Sequence, residues 1–351
     1  MSQIDYNQEL TPEVREKMRK NLVYVGIFSV VMLFAGLSSG YIVSAGDSFW
    51  VKYNFPPAFY VSTVLILLSS IVLSVGIKLA QKGNANILKT IVPLTFLLGV
   101  GFAYFQFRGY SELYHDGAFL SSKITVSEGR YGSYYELEVN GKYMEVDGND
   151  YLIAGKVIPE DQKVQISAFA KQFEAISKVK QPVISGLDKY TLMYKHQPVS
   201  LKNGKFYVKD TVELTHVDLI RLEEFSWHIR DGRGDFFHQG KFGKDFKVYY
   251  KNQELEYKNR TLYYKGIPLS APLQLKIESA SDTATSYLYI LTFLHLLHIL
   301  VTLIFVLRAS IRSFSGKLAA DNFLPVRTLA IFWHFLGVLW VYLLLFLLFI
   351  H

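Results

Sequence analysis

Cysteine is absent from the 351 residues of this chain. Disulfides, thiolate metal sites and thiol nucleophiles are therefore excluded, and a domain on an oxidising side of a membrane would be held by its core alone. Acid is missing from a second place. Five long apolar runs, roughly Leu22 to Val43, Ala58 to Ile77, Ile91 to Phe107, Ser286 to Leu307 and Leu324 to Ile350, contain no Asp or Glu. Proton relays and ion pathways through a bilayer usually depend on such carboxylates, so a proton pump or secondary transporter working through this chain alone is not expected. Neither His-Glu-x-x-His nor a phosphate-binding loop occurs.

Half of the residues are hydrophobic, 15% are aromatic and the mean hydropathy is +0.19. That is too apolar for an ordinary soluble protein, while 19% charged residues is too many for a chain confined to lipid. A membrane part and a sizeable soluble part are expected. The formal charge of +7 needs no nucleic-acid partner, because basic residues flanking membrane spans produce it.

Each apolar run is long enough, at ~1.5 Å per residue, to cross a ~30 Å hydrocarbon core. The polar N-terminus reads as lacking a cleaved signal peptide, and Thr11-Pro12-Glu13 reads as a helix start. Arg15, Lys17, Arg19 and Lys20 precede the first run. The turn from Lys78 to Lys89 and the loop from Arg308 to Arg327, with Lys317, are also basic. The short loop ending in Pro56-Pro57 is not. The positive-inside rule puts the N-terminus in the cytoplasm, with residues 112–282 and the C-terminus at His351 outside. The expected divisions are 1–111, 112–282 and 283–351.

The long polar segment alternates with period two. Asn140-Gly141 and Asn203-Gly204, each between alternating runs, predict two-residue type I′ hairpins and hint at a duplicated unit. Phe246 to Tyr264 alternates again. Pro159 to Lys178, with Val164, Phe169, Phe173 and Ile176 near one face, and Thr215 to Arg230 predict helices. An α+β domain follows. It carries His196, His216, His228 and His238, with Asp231 and Asp235 in the run Arg230-Asp231-Gly232-Arg233-Gly234-Asp235, which reads as a solvated turn. Partner docking is the expected role of this segment rather than catalysis.

Histidine is costly in lipid unless it faces other helices. His295 and His298 lie on one helical face, and His334 can meet them from the next helix. Three readings are open: hydrogen bonds between helices, a metal site, or a bis-histidine haem b between His295 or His298 and His334. Arg308, Arg312 and Arg327 read as lipid head-group contacts or end anchors.

Motifs run in order through all five spans. They are Phe28-Ser29 with Met32-Leu33-Phe34-Ala35-Gly36; Ser62-Thr63 with Ser69-Ser70; Gly99-x-Gly101-Phe102 with Gln106 and Tyr110; Ser286-Tyr287-Leu288-Tyr289 with Phe293-Leu294-His295-Leu296-Leu297-His298; and Ala330-Ile331-Phe332-Trp333-His334-Phe335 through Trp340. Together they resemble subunit III of the haem-copper cytochrome c oxidases, in the short bacterial form that lacks the first two helices. The chain departs from the family pattern at Val30, Gly109 and Gly337, where the family carries acids.

The resemblance implies a mainly α fold: a five-transmembrane-helix bundle of subunit III type, with the α+β extracytoplasmic domain inserted between helices 3 and 4. It implies a non-catalytic subunit in a bacterial inner membrane, packed on oxidase subunit I, with subunit II and further small membrane subunits nearby. Haem and copper would sit in subunits I and II, where electrons from cytochrome c reduce oxygen and protons are translocated; this chain would hold no cofactor beyond phospholipid. His295, His298, Trp333 and His334 would be lipid-cleft or helix-packing residues, and Arg308, Arg312 and Arg327 head-group residues. A proton-uptake role carried by the missing carboxylates is in doubt. The insertion, residues 122–281, has no counterpart in ordinary members and would dock cytochrome c or another respiratory complex. The alternative is a membrane haem-b electron carrier. A receptor or transporter with an outer sensing domain is a third reading.

Overall fold

The computed structural model describes residues 12–82, 84–126, 134–315 and 324–350. Thr11, Lys317 and His351 lie outside them. In chain order the elements begin with α1 (Pro12–Asp47), β1 (Phe49–Tyr53), α2 (Pro57–Gln81) and α3 (Leu88–His115). A first meander has β2 (Tyr135–Val139), β3 (Lys142–Asp147), β4 (Asp150–Ile153) and β5 (Lys156–Val157), closed by α4 (Glu160–Lys171). A second has β6 (Tyr190–Tyr194), β7 (Gln197–Lys202), β8 (Lys205–Val208) and β9 (Val212–Glu213), closed by α5 (His216–Arg230). A third has β10 (Phe246–Tyr250), β11 (Gln253–Glu254), β12 (Glu256–Lys258), β13 (Thr261–Tyr264) and β14 (Ile267–Pro268), closed by α6 (Ala271–Ser279). Helices α7 (Thr283–Phe314) and α8 (Leu324–Phe349) complete the chain.

Two compact units result: Met1–Ser44, Phe55–Tyr114 and Ser286–His351 form one, and Ala45–Asn54 with His115–Thr285 form the other. The first, helical unit holds α1, α2, α3, α7 and α8, five helices long and apolar enough to cross a membrane. Its interior is knit by hydroxyls on α2 that receive or pair with rings on α8. Trp340 Nε1 donates to Thr63 at 2.8 Å, Trp333 Nε1 donates to Ser69 at 2.9 Å, and His334 Nε2 lies 3.1 Å from Ser74 Oγ. Tyr342 donates to Ser38 of α1 at 3.0 Å, and Gln106 of α3 donates to Ser62 at 2.8 Å.

The second, strand-rich unit is a threefold repeat, where two Asn-Gly turns had hinted at a duplication. Each meander turns at the same places: Asn140-Gly141, Lys195-His196 and Lys251-Asn252 are the first turns, with φ of 51 and 74, 50 and 62, and 48 and 60 degrees. Left-handed backbone at both central residues is the type I′ geometry whose twist matches the strands it joins. The first two meanders join through their first strands, β2 against β6 with Leu137 opposite Leu192, giving one eight-stranded sheet. In the third, β1 takes the place of a sister meander and pairs along β10, Val51 opposite Val248. The segment before Pro56-Pro57, read above as a loop, is thus a strand of this unit. The outermost strands β5 and β9 have two residues each, too short to recruit another sheet.

Alternation places Tyr135, Leu137 and Val139 in one core with Leu192, Phe206, Ile166, Phe169 and Leu222, and Phe246 and Val248 in another with Val51, Leu262 and Ile277. The Thr215 side chain caps α5 in a reciprocal box with Asp218. Two helix expectations change. The helix expected over Pro159 to Lys178 ends at Lys171 and a short 3₁₀ turn follows at Ile176–Lys178; within the helix Ile166 is buried, whereas Val164 is 61% exposed. Helix α6 was not anticipated.

Candidate functional site

The three membrane histidines do not meet in one cluster; each is hydrogen-bonded to a different partner. His295, fully buried on α7, donates from Nε2 to the Leu336 carbonyl of α8 at 2.9 Å. His298 donates from Nδ1 to the Leu294 carbonyl of its own helix at 2.7 Å, and His334 reaches Ser74. The His295 ring is packed against Trp340 and Phe102, with centroids 5.3 and 5.8 Å away. A haem ligated by His295 would have to displace that indole and the Leu336 acceptor. Trp333 is fully buried against Ser69.

Two helical glycines sit where a side chain would meet a neighbour. A Cβ on Gly109 would lie 2.4 Å from the Phe59 ring, and one on Gly337 would lie 3.1 Å from Ser70 Oγ. Gly36-Leu37-Ser38-Ser39-Gly40 has the spacing of a nucleophile elbow, yet it runs mid-helix in α1 and Ser38 accepts from Tyr342, so no strained strand-to-helix turn presents the hydroxyl.

A cavity of about 830 Å³ opens between α1, α7 and α8. Val23, Gly26, Phe305, Leu329 and Phe332 make its walls apolar, and Arg308 and Arg312 bring two guanidinium groups to it. Four residues apart, these two arginines are neighbours on one helical face. An apolar chamber with a paired cationic rim suits an amphiphile with an anionic head, because each guanidinium offers a planar fork of donors to phosphate oxygens. Arg327 is placed elsewhere: its Nη1 lies 3.4 Å from Glu16 of α1, which also pairs with Lys20 at 2.6 Å. None of His295, His298, Trp333 and His334 lines the cavity.

In the strand-rich unit His196 is exposed on a turn 2.9 Å from Glu136, and His216 is the exposed first residue of α5. Half-buried His228 is lowered to about 4, chiefly by burial and then by the Arg233 charge. The Arg230–Asp235 run is not a solvated turn. Asp235 is 4% exposed, paired with Arg260 and accepting from Tyr257 at 2.5 Å. Asn149 Oδ1 takes the amides of Gly234 and Phe236 at 2.8 and 3.3 Å. A Cβ on Gly234 would lie 2.2 Å from the Gly148 carbonyl, so glycine is what lets the run lie against the Gly148-Asn149 turn.

His238 meets two residues that sequence reasoning did not single out. The Tyr53 hydroxyl hydrogen-bonds His238 Nδ1, and Asp282 Oδ2 lies 3.5 Å from that hydroxyl and 3.9 Å from His238 Nε2. Asp282 accepts from the Thr285 amide at 3.1 Å and from its hydroxyl, capping α7. The cap was readable as Asp-x-x-Thr ahead of an apolar run; the link to Tyr53 was not. No family model, curated protein or solved structure matches this chain.

Proposed function

We propose that this chain is a non-catalytic, subunit III-type component of a bacterial haem-copper cytochrome c oxidase. The observation that carries the reading is that the residues bearing the ordered motifs are those that knit the helices: Thr63 with Trp340, Ser69 with Trp333, and His295 with the Leu336 carbonyl. The helical unit would brace subunit I beside subunit II and small membrane subunits, in an inner membrane with the strand-rich unit and C-terminus outside. Haem, copper, oxygen reduction and proton translocation would belong to the partner subunits. The cavity would hold phospholipid, its phosphate on Arg308 and Arg312 and its chains against Phe305 and Phe332. The strand-rich unit would dock cytochrome c or a neighbouring respiratory complex.

Tagged chain purified from its native membrane should bring down a haem-a-containing partner, seen in the visible spectrum, with the partner chains identified by mass spectrometry. Purification with no haem-a protein would refute the assignment. A Soret band on the chain freed of partners would favour a haem-b carrier instead.

A further inference from the structure

Tyr53, His238 and Asp282 come from three distant parts of the chain: the end of β1, the stretch before β10 and the cap of α7. His238 and Asp282 have no exposed surface at all. The Tyr53 hydroxyl touches both of the others, His238 Nδ1 on one side and Asp282 Oδ2 on the other. His238 and Asp282 are sealed from solvent and cannot reach a substrate bond, while Tyr53 is partly buried against them. An electron needs no such contact.

Removing an electron from a partly buried phenol without moving its proton would leave a cation against a low-dielectric core, which is costly. A base already hydrogen-bonded to the phenol avoids that state. Other phenols of this unit are placed differently. Tyr135 and Tyr151 donate to backbone carbonyls, which do not take a proton. Tyr257 and Tyr194 donate to Asp235 and Asp218, carboxylates whose charge is already matched by Arg260 and Arg221. Tyr53 touches an imidazole nitrogen, His238 Nδ1, as well as a carboxylate, Asp282.

We propose that Tyr53 is a redox-active tyrosine. A one-electron oxidant of the high-potential haem class takes one electron from the phenol and is itself reduced by one. The O–H bond breaks as the proton forms an N–H bond at His238 Nδ1. The products are a neutral tyrosyl radical and an imidazolium, whose charge Asp282 offsets; return of the electron sends the proton back to oxygen. Burial followed by the Arg233 charge holds His238 to about 3, so the imidazole is neutral before the oxidation and releases the proton readily when the electron returns. Ring contacts continue inward from His238 through Phe246 and Phe236 to Tyr257, with centroids 5.5, 5.4 and 5.1 Å apart, a path of closely spaced π systems. The phenol, base and carboxylate are this chain's own, while the haem oxidant rests on the proposed oxidase function.

The test is flash-quench oxidation of the full chain in detergent by photogenerated ruthenium(III) tris-bipyridine, trapped and read by electron paramagnetic resonance. A neutral tyrosyl signal is expected in the wild type and lost in Tyr53→Phe. It is also lost in His238→Gln, where the amide keeps a hydrogen bond but cannot take the proton; circular dichroism checks that both variants fold. Should His238→Gln not fold, electron–nuclear double resonance on the wild type decides: the radical must couple to one exchangeable proton, removed in D2O, and to a histidine nitrogen. An equal signal in wild type and Tyr53→Phe, an equal signal in folded His238→Gln, or a radical without that coupling overturns the proposal.

Discussion

Replacing Asp282 with asparagine isolates the electrostatics of the buried His238–Asp282 pair beside Tyr53. Burial, partly offset by the hydrogen bonds from Thr285, raises the Asp282 carboxyl from 3.8 to about 6. A group raised on folding stabilises the fold through its protonated form, so its contribution is full below the unfolded value and is lost as pH climbs through about 6. Going from pH 7 to pH 5, protonation of Asp282 therefore stabilises the strand-rich unit by ~1.4 kcal/mol. His238, lowered to about 3, acts in the opposite sense: stability is lost as pH falls from the ordinary histidine range toward that value. His228, lowered to about 4, does the same. In the wild type the aspartate offsets much of what one histidine loses. Asparagine keeps the size and the acceptor for the Thr285 amide but has no proton to gain. Asp282→Asn should consequently lose ~1.4 kcal/mol more than wild type between pH 7 and pH 5, both histidines being common to the two proteins. Amide hydrogen exchange of the full chain in detergent, followed in β10 and β13 and corrected for intrinsic rates, measures the difference. Parallel pH dependences would refute the raised carboxyl, and a steeper loss in wild type would refute the sign.

Three further outcomes can be checked. Gly109→Ala puts a methyl 2.4 Å from the Phe59 ring and should destabilise the helical unit by about 1–3 kcal/mol in thermal unfolding, and by less when made in a Phe59→Ala background. Arg308→Ala with Arg312→Ala should weaken retention of anionic phospholipid by about 2 kcal/mol, at about 1 kcal/mol per basic group, read by lipid mass spectrometry of the purified chain with zwitterionic lipid as the control. Changing Lys195-His196 to Asn-Gly should stabilise the second meander by ~1 kcal/mol in unfolding experiments, because the left-handed turn then carries residues that tolerate it. The exposed His196–Glu136 pair that this change removes contributes little.

Some features were legible before any coordinates because a short stretch carries the whole signal. Five apolar runs read as helices of spanning length, since backbone in hydrocarbon must satisfy its own hydrogen bonds. Asn140-Gly141 and Asn203-Gly204 announced their turns, and the run from Thr215 to Arg230 announced α5. The threefold repeat was harder to see. The equivalent turns at Lys195-His196, Lys251-Asn252 and Asn259-Arg260 adopt the same left-handed geometry without glycine, and strand pairing on both sides supplies what the turn residues do not.

Partners far apart along the chain were decided only by folding. β1 reads as a loop on its own and becomes a strand because β10 offers it an edge. The imidazole of His334 and the indoles of Trp333 and Trp340 have many hydroxyls within reach by spacing alone; helix packing against α2 selects Ser74, Ser69 and Thr63. Asp235 looks like a surface acid until Arg260 closes over it, and Tyr53 becomes a phenol with a base only where His238 and Asp282 arrive beside it. Local propensity is a property of neighbours in sequence. Which buried polar groups satisfy one another is settled by the packing that brings distant segments within hydrogen-bond range.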